Sequence, residues 1–153
     1  VNFISTDFSR AQFGDKAMFY LCKLNNACFN DTSLSGVFFA SCRFRAVELN
    51  NADFNNASFN DISLCGINLE NVKNIAKADF KNVFYLYISK KDREFIKENI
   101  NNREKQKKTD LNEDVLNKFV YFSKTENTKF PKGFEPEKAN MLNEWKLFKE
   151  SFI

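Results

Sequence analysis

The sequence predicts a mainly β solenoid followed by an α-helical C-terminal region. Three observations carry this. Large apolar residues recur at every fifth position from the N-terminus to about residue 85. Glycine and proline are scarce, with four and two copies, while phenylalanine reaches 19. A chain so apolar and so poor in breakers can form a packed core. After Tyr87 the apolar spacing changes to three and four, the period of a helix.

A helix repeats every 3.6 residues and a flat strand every 2, so a period of five fits neither, and internal repetition is the signature of a solenoid. The large residues, or centres, fall at Phe3, Phe8 and Phe13, then slip by one residue across "FGDKAMF" to Phe19. They continue unbroken through Leu24, Phe29, Leu34, Phe39, Phe44, Leu49, Phe54, Phe59, Leu64 and Leu69. A second slip near "NVKNI" leads to Ile75, Phe80 and Tyr85. Two positions before most centres stands a small or β-branched residue, such as Ala17, Cys22, Ala27, Val37, Cys42 or Ala52. Lys73 is out of character in that series.

The stretches "ADFNN" (52–56), "ASFND" (57–61) and "ADFKN" (78–82) show the unit most clearly. They resemble the motif A(D/N)LXX of the pentapeptide-repeat family, with Phe in place of Leu, and the resemblance covers about residues 1–85. It implies a right-handed quadrilateral β-helix: one pentapeptide per side, about 20 residues per turn, and roughly four turns at about 4.8 Å per rung. Small residue and centre point inward, so Phe39 is expected over Phe59 and Cys22 under Cys42. Parallel inward side chains on adjacent rungs have poor disulfide geometry. The four cysteines also lack the close pairing of zinc ligands. They read as reduced thiols used as small hydrophobes, which suits a cytoplasmic protein. Asn after the centre, at Asn26, Asn51, Asn56, Asn71 and Asn82, suits turn geometry. Solenoid ends carry unpaired edges and need a cap.

The second half is suited to capping. Residues 1–87 read as the repeat domain and 88–153 as a helical cap or docking region of about three helices. Ser89 with Asp92 resembles a capping box ahead of Phe95, Ile96 and Ile100. Asp110 with Glu113 marks a second start, followed by Leu111, Val115, Leu116, Phe119 and Val120 on one face. "KTENTKFPKGFEP" reads as a loop, and Pro136 suits a first helical position. Met141, Trp145, Phe148 and Phe152 then form an amphipathic stripe, a candidate C-terminal docking element. The run from Arg103 to Lys108 is a solvated helix end or a contact for an anionic surface.

Little points to chemistry. The chain has no histidine, and no Gly-rich phosphate loop, nucleophile elbow or paired metal ligands appear. Neither an enzyme nor a cofactor is expected. Residues 1–85 carry eight acidic and eight basic residues, so direct nucleic-acid binding is not expected either. No run approaches the roughly 20 apolar residues of a membrane span. What remains is surface. Around Phe19 and Phe39 the outward positions hold Met18, Tyr20, Leu21, Phe38 and Ala40, where the next turn has Ser58, Asn60 and Asp61. Such an apolar patch needs a cover: the chain's own helices, a second copy or another protein. A neighbouring face carries the basic ladder Lys23, Arg43 and Arg45. The leading reading is therefore a non-catalytic protein-interaction module, binding an unidentified protein or a second copy. The resemblance implies an alternative, a DNA-mimicking binder of DNA gyrase that protects it from quinolones, which calls for an acidic solenoid. A third reading takes the chain, which opens on Val1, as a soluble portion of a larger membrane-associated or effector protein.

Overall fold

The computed structural model describes residues 1–105 and 112–152. Four short strands, β1 (Met18–Tyr20), β2 (Phe38–Ala40), β3 (Ser58–Ser63) and β4 (Asp79–Tyr85), stack in parallel and in chain order. A fifth, β5 (Leu142–Asn143), is added beyond β4. The other sides of the coil are held by single parallel bridges, such as Asp7 to Cys28 to Glu48 and Ser33 to Asp53 to Lys73. This is the solenoid expected from the five-residue period. Helices α1 (Lys90–Glu104), α2 (Glu113–Lys124) and α3 (Glu144–Phe152) follow it.

The centres do point inward. Phe19, Phe39, Phe59 and Phe80 occupy equivalent places on successive rungs. Their rings stack at 4.9, 5.2 and 5.4 Å, tilted by only 9°, 11° and 13°. Rungs about 4.8 Å apart bring identical residues to the centroid separation of offset-stacked rings, and each such pair adds about 0.5–1.5 kcal/mol beyond its area burial. Leu24, Ala27, Val37, Ala52 and Leu64, all fully buried, fill the remaining columns.

Each side ends in a tight turn. The residue two after a centre takes positive φ at Ser5, Arg10, Leu21, Asn26, Asp31, Ser41, Ala46, Asn51, Asn56, Asp61 and Asn82. The amide of the following residue commonly bonds back to the centre's carbonyl, as Ala27 does to Leu24 at 2.9 Å. A turn with φ above zero at its third residue favours Gly or Asn. That explains four of the five asparagines singled out from the sequence; Asn71 is not among the positive-φ residues.

Both register slips are real. Partners lie twenty residues apart from Met18 to Phe38 and from Asp53 to Lys73, but twenty-one apart from Gln12 to Ser33 and from Ser58 to Asp79. The first extra residue falls near Asp15, whose carbonyl oxygen presses on Gly36, where a Cβ would come within 3.0 Å. The second is absorbed by a 3-10 turn, Ile75–Lys77, entered through left-handed Asn74. Lys73, assigned from sequence to an inward place, is exposed, and Val72 is the buried residue beside it.

The cap differs from expectation. The helices build a core of their own from Ile96, Val115, Leu116, Phe119, Phe122 and Trp145, set on Leu86 and Ile88. The column is closed instead by the segment between α2 and α3, which was expected to be a loop. Lys129 pairs with the strand of Asn68, through Lys129 N to the Ile67 carbonyl at 3.1 Å and Leu69 N to the Lys129 carbonyl at 2.7 Å. Buried Thr128 donates its hydroxyl to the Leu64 carbonyl at 2.9 Å and accepts from Leu86 N at 3.0 Å. Phe130 and Phe134 then pack edge-on against Tyr85 and Phe80. Thr128-Lys129-Phe130 repeats the small-x-centre pattern of the solenoid, so its sequence carried the signal.

Ser89 caps α1 as expected, accepting from Asp92 N at 3.1 Å. Helix α2 is capped by Asn112, accepting from Val115 N at 2.9 Å, rather than by Asp110. Asp110, Leu111 and the basic run beyond Lys105 lie outside the described residues. Pro136 opens a 3-10 turn, Pro136–Ala139, and α3 begins later. Asp92 clamps α3 to α1, accepting from Trp145 Nε1 at 2.9 Å and pairing with Lys149 at 3.3 Å.

Two predictions follow from these contacts. Thr128→Val keeps the shape but leaves the Leu86 amide unpaired and the Leu64 carbonyl with only the Ile67 amide as donor, and is expected to lower unfolding free energy by about 1–3 kcal/mol in urea titration. For Asp92, burial opposes its charge, but hydrogen bonds from Trp145 and Lys149 prevail and hold its carboxyl below the ordinary value. A folded pKa below the unfolded value of about 3.9 gives stability that is present at neutral pH and lost as pH falls through the lower folded value. Acidification is therefore expected to release α3, reported by fluorescence of the single tryptophan, Trp145. Asp92→Asn should abolish that acid step.

Candidate interaction face

The outer face of β1–β4 is built by alternation. Because Phe19 and Phe39 point inward, the residues flanking them point out. One outward column holds Met18, Phe38, Ser58 and Asp79, and the next holds Tyr20, Ala40, Asn60 and Lys81. Beside them run the turn positions Leu21, Ser41, Asp61 and Asn82, all at positive φ. Met18, Tyr20 and Leu21 are 63%, 58% and 58% exposed. The chain's own helices do not cover them. Phe38 is half-buried. Ala40 is not part of the exposed surface: it is 5% exposed, a short side chain enclosed within the sheet between the rungs of Tyr20 and Asn60.

Leu21 is the most informative of these residues. Left-handed backbone costs an ordinary side chain about 1–2 kcal/mol, which is why Gly and Asn dominate such sites. Asp61 and Asn82 occupy the equivalent turns. A large apolar residue there is unfavourable both for the backbone and for solvation.

The C-terminal stripe is differently placed. Met141 precedes α3 and is buried in the solenoid core, and Trp145 is buried among the helices. Phe148 is half-buried and packs on Phe119 and Phe122. These three stand in the chain's own interior rather than on a free docking stripe, because Met141 helps close the column and α3 turns its apolar side to α1 and α2. The side chain of Phe152 lies outside the described residues. Lys23, Arg43 and Arg45 are exposed as expected, with Lys23 and Arg43 on adjacent rungs.

The cysteines are free. Cys42 donates to the Phe19 carbonyl at 3.2 Å, and burial pushes its thiol up. Cys65 donates to Glu144 at 2.9 Å; burial, then that carboxylate, raises its thiol well above the ordinary range. Among the described residues no cluster of three or more His, Cys, Asp or Glu side chains could hold a metal ion, and no helix is long and apolar enough to cross a membrane.

Sequence reasoning missed a cleft beside the interaction face. It opens between the outer side of β2–β4 and residues 131–140, with a volume of about 790 Å³. Phe38 lines it together with Asn60, Lys81, Pro131 and Phe134. Only the folding-back of the capping segment creates it, so no local pattern announces it.

No curated protein matches this sequence. Among solved structures, the chain is similar to trypsin-treated QnrB1, described as a plasmid-mediated fluoroquinolone resistance protein. The likeness has 17% identity and a TM-score of 0.39, covering 59% of this chain and 39% of that one; the chain therefore spans about two fifths of QnrB1's length. The family model of pentapeptide repeats matches residues 22–61 and 48–84, in eight copies. Residues 22–84 therefore match pentapeptide repeats, in keeping with the five-residue period, the inward stacked centres and the left-handed turns.

Proposed function

We propose that this chain is a non-catalytic protein-interaction module whose contact surface is the face led by Met18, Tyr20 and Leu21. One observation carries the reading: three large apolar side chains stand exposed together, and one of them, Leu21, is the single large apolar residue among the left-handed turn positions of the described residues. Large apolar side chains left exposed side by side point to an external contact. In this reading residues 1–87 display the face, and within residues 88–153 the segment between α2 and α3 closes the column. The occupant is a second copy or another protein. The solenoid's eight acidic and eight basic residues give no support to mimicry of DNA.

The test separates stability from binding. Leu21→Asn is expected to raise unfolding free energy by about 1 kcal/mol, since it relieves the turn, while weakening association. Light scattering over a concentration series reads self-association: a wild-type mass rising toward twice 17.9 kDa that Leu21→Asn and Tyr20→Asp hold at the monomer identifies a second copy as partner. If the wild type stays monomeric, pull-downs with wild type and both variants as bait should show a protein retained by wild type alone. A monomer whose captured proteins are the same for all three baits would sink the proposal.

A further inference from the structure

The balance of eight acidic and eight basic residues in the solenoid hides a segregation by side. The side that carries Met18, Tyr20 and Leu21, residues 17–21 with 37–41 stacked on them, has no charged residue. At Leu21 the chain turns a corner into a second side, built from residues 1–5, 22–26 and 42–46 and held in register through Asn2, Lys23 and Arg43. These segments contain three basic residues, Lys23, Arg43 and Arg45, and no acidic one. The side after that, residues 6–10, 27–31 and 47–51, holds three acidic residues and one basic.

The three cations are exposed, and among the described residues none of them forms an ion pair. Arg45 donates its backbone amide to Asn25 Oδ1 at 3.2 Å, which leaves its guanidinium free of that contact. Glu144 of α3 is engaged by Cys65 rather than by an arginine. Lys23 and Arg43 stand one rung apart, about 4.8 Å, and Arg43 and Arg45 two residues apart, about 6.6 Å along an extended chain. Like charges on neighbouring strands repel, so the cluster costs the solenoid something and gains it no internal contact.

We propose that the interaction face takes the acidic surface of a different protein, which buries apolar side chains against Met18, Tyr20 and Leu21 and pairs carboxylates with Lys23, Arg43 and Arg45 around the corner. This rests on the interaction reading and adds the class of partner. A guanidinium grips a carboxylate through two parallel hydrogen bonds, and complementary charge steers the encounter and fixes its register. Three cations are too few for a nucleic acid or an anionic bilayer, whose capture rests on many phosphate contacts or on clusters of about 4–8 Lys and Arg. A second copy does not supply both halves of the complement from its own acidic side, which carries no exposed large apolar residue among the described residues.

The experiment uses the full chain. Random peptides displayed on phage are selected on immobilised protein at low salt, then made synthetically and titrated by fluorescence polarisation. Recovered peptides are expected to combine Asp or Glu with aromatic or aliphatic residues. They should bind about tenfold or more weakly to Arg43→Glu/Arg45→Glu and to Leu21→Asn, and added salt should weaken the wild-type complex. Peptides whose acidic residues are changed to Lys should prefer Arg43→Glu/Arg45→Glu over wild type, an exchange that misfolding does not produce. Arg43→Gln/Arg45→Gln should fall between the two. Peptides that depend on Leu21 but carry no acidic residue and ignore Arg43 and Arg45 overturn the acidic partner and leave the apolar face standing. Peptides that ignore all three positions, or no peptides at all, overturn both readings. A mixed-sequence DNA duplex, or vesicles of phosphatidylserine and phosphatidylcholine in equal parts, bound by wild type and released by Arg43→Glu/Arg45→Glu would replace the protein by a polyanion. A wild-type dimer broken by that same variant would replace it by a second copy.

Discussion

Everything in this molecule depends on the coincidence of two distances. Backbone hydrogen bonds set parallel rungs about 4.8 Å apart, and stacked phenylalanine rings here lie 4.9–5.4 Å apart. A side chain that repeats in register therefore meets its own copy at contact distance. That single constraint places every centre inward, holds the small residues where the coil needs room, and forces the chain through a left-handed turn at nearly every corner. The outward positions are not fixed by that constraint, and function can occupy those that the rung-to-rung asparagine bonds leave free.

How much of this was legible follows from what is local. The period of five, both slips and the turn residues are written in consecutive residues, so the solenoid could be read down to Phe39 over Phe59. Lys73 was misread because the slip near it shifts the register by one place, which reverses inward and outward. The cap was misread for another reason. Thr128, Lys129 and Phe130 join rungs some sixty residues earlier in the chain, and a three-residue echo of the repeat, surrounded by charged and proline residues, does not stand out from a loop.

The outward face of the strands was legible in outline only. Alternation identified Met18, Tyr20 and Leu21 as outward and correctly so. It overstated Ala40, because a methyl group between larger neighbours is buried even when it points outward. It also gave the C-terminal stripe too much freedom: spacing shows that a helix has an apolar side, but not whether its own chain already covers that side. Asn60 was visible as a polar residue in the right column. Among the described residues its Oδ1 lacks a donor, with Ala40 and Lys81 as its rung neighbours.

The cap also has a consequence in time. The rung it completes joins Thr128 to Leu64 and Leu86, so the solenoid cannot be sealed until translation has passed well beyond the repeats. At about 5–20 residues per second, the stretch between Tyr85 and Phe130 takes on the order of seconds to emerge. Throughout that interval the nascent coil presents an open parallel edge and an uncovered stack of aromatic rings to the surroundings of the ribosome. The vulnerability of this protein during synthesis is therefore set less by the folding of its repeats than by the length of the helical insert that separates them from their final rung.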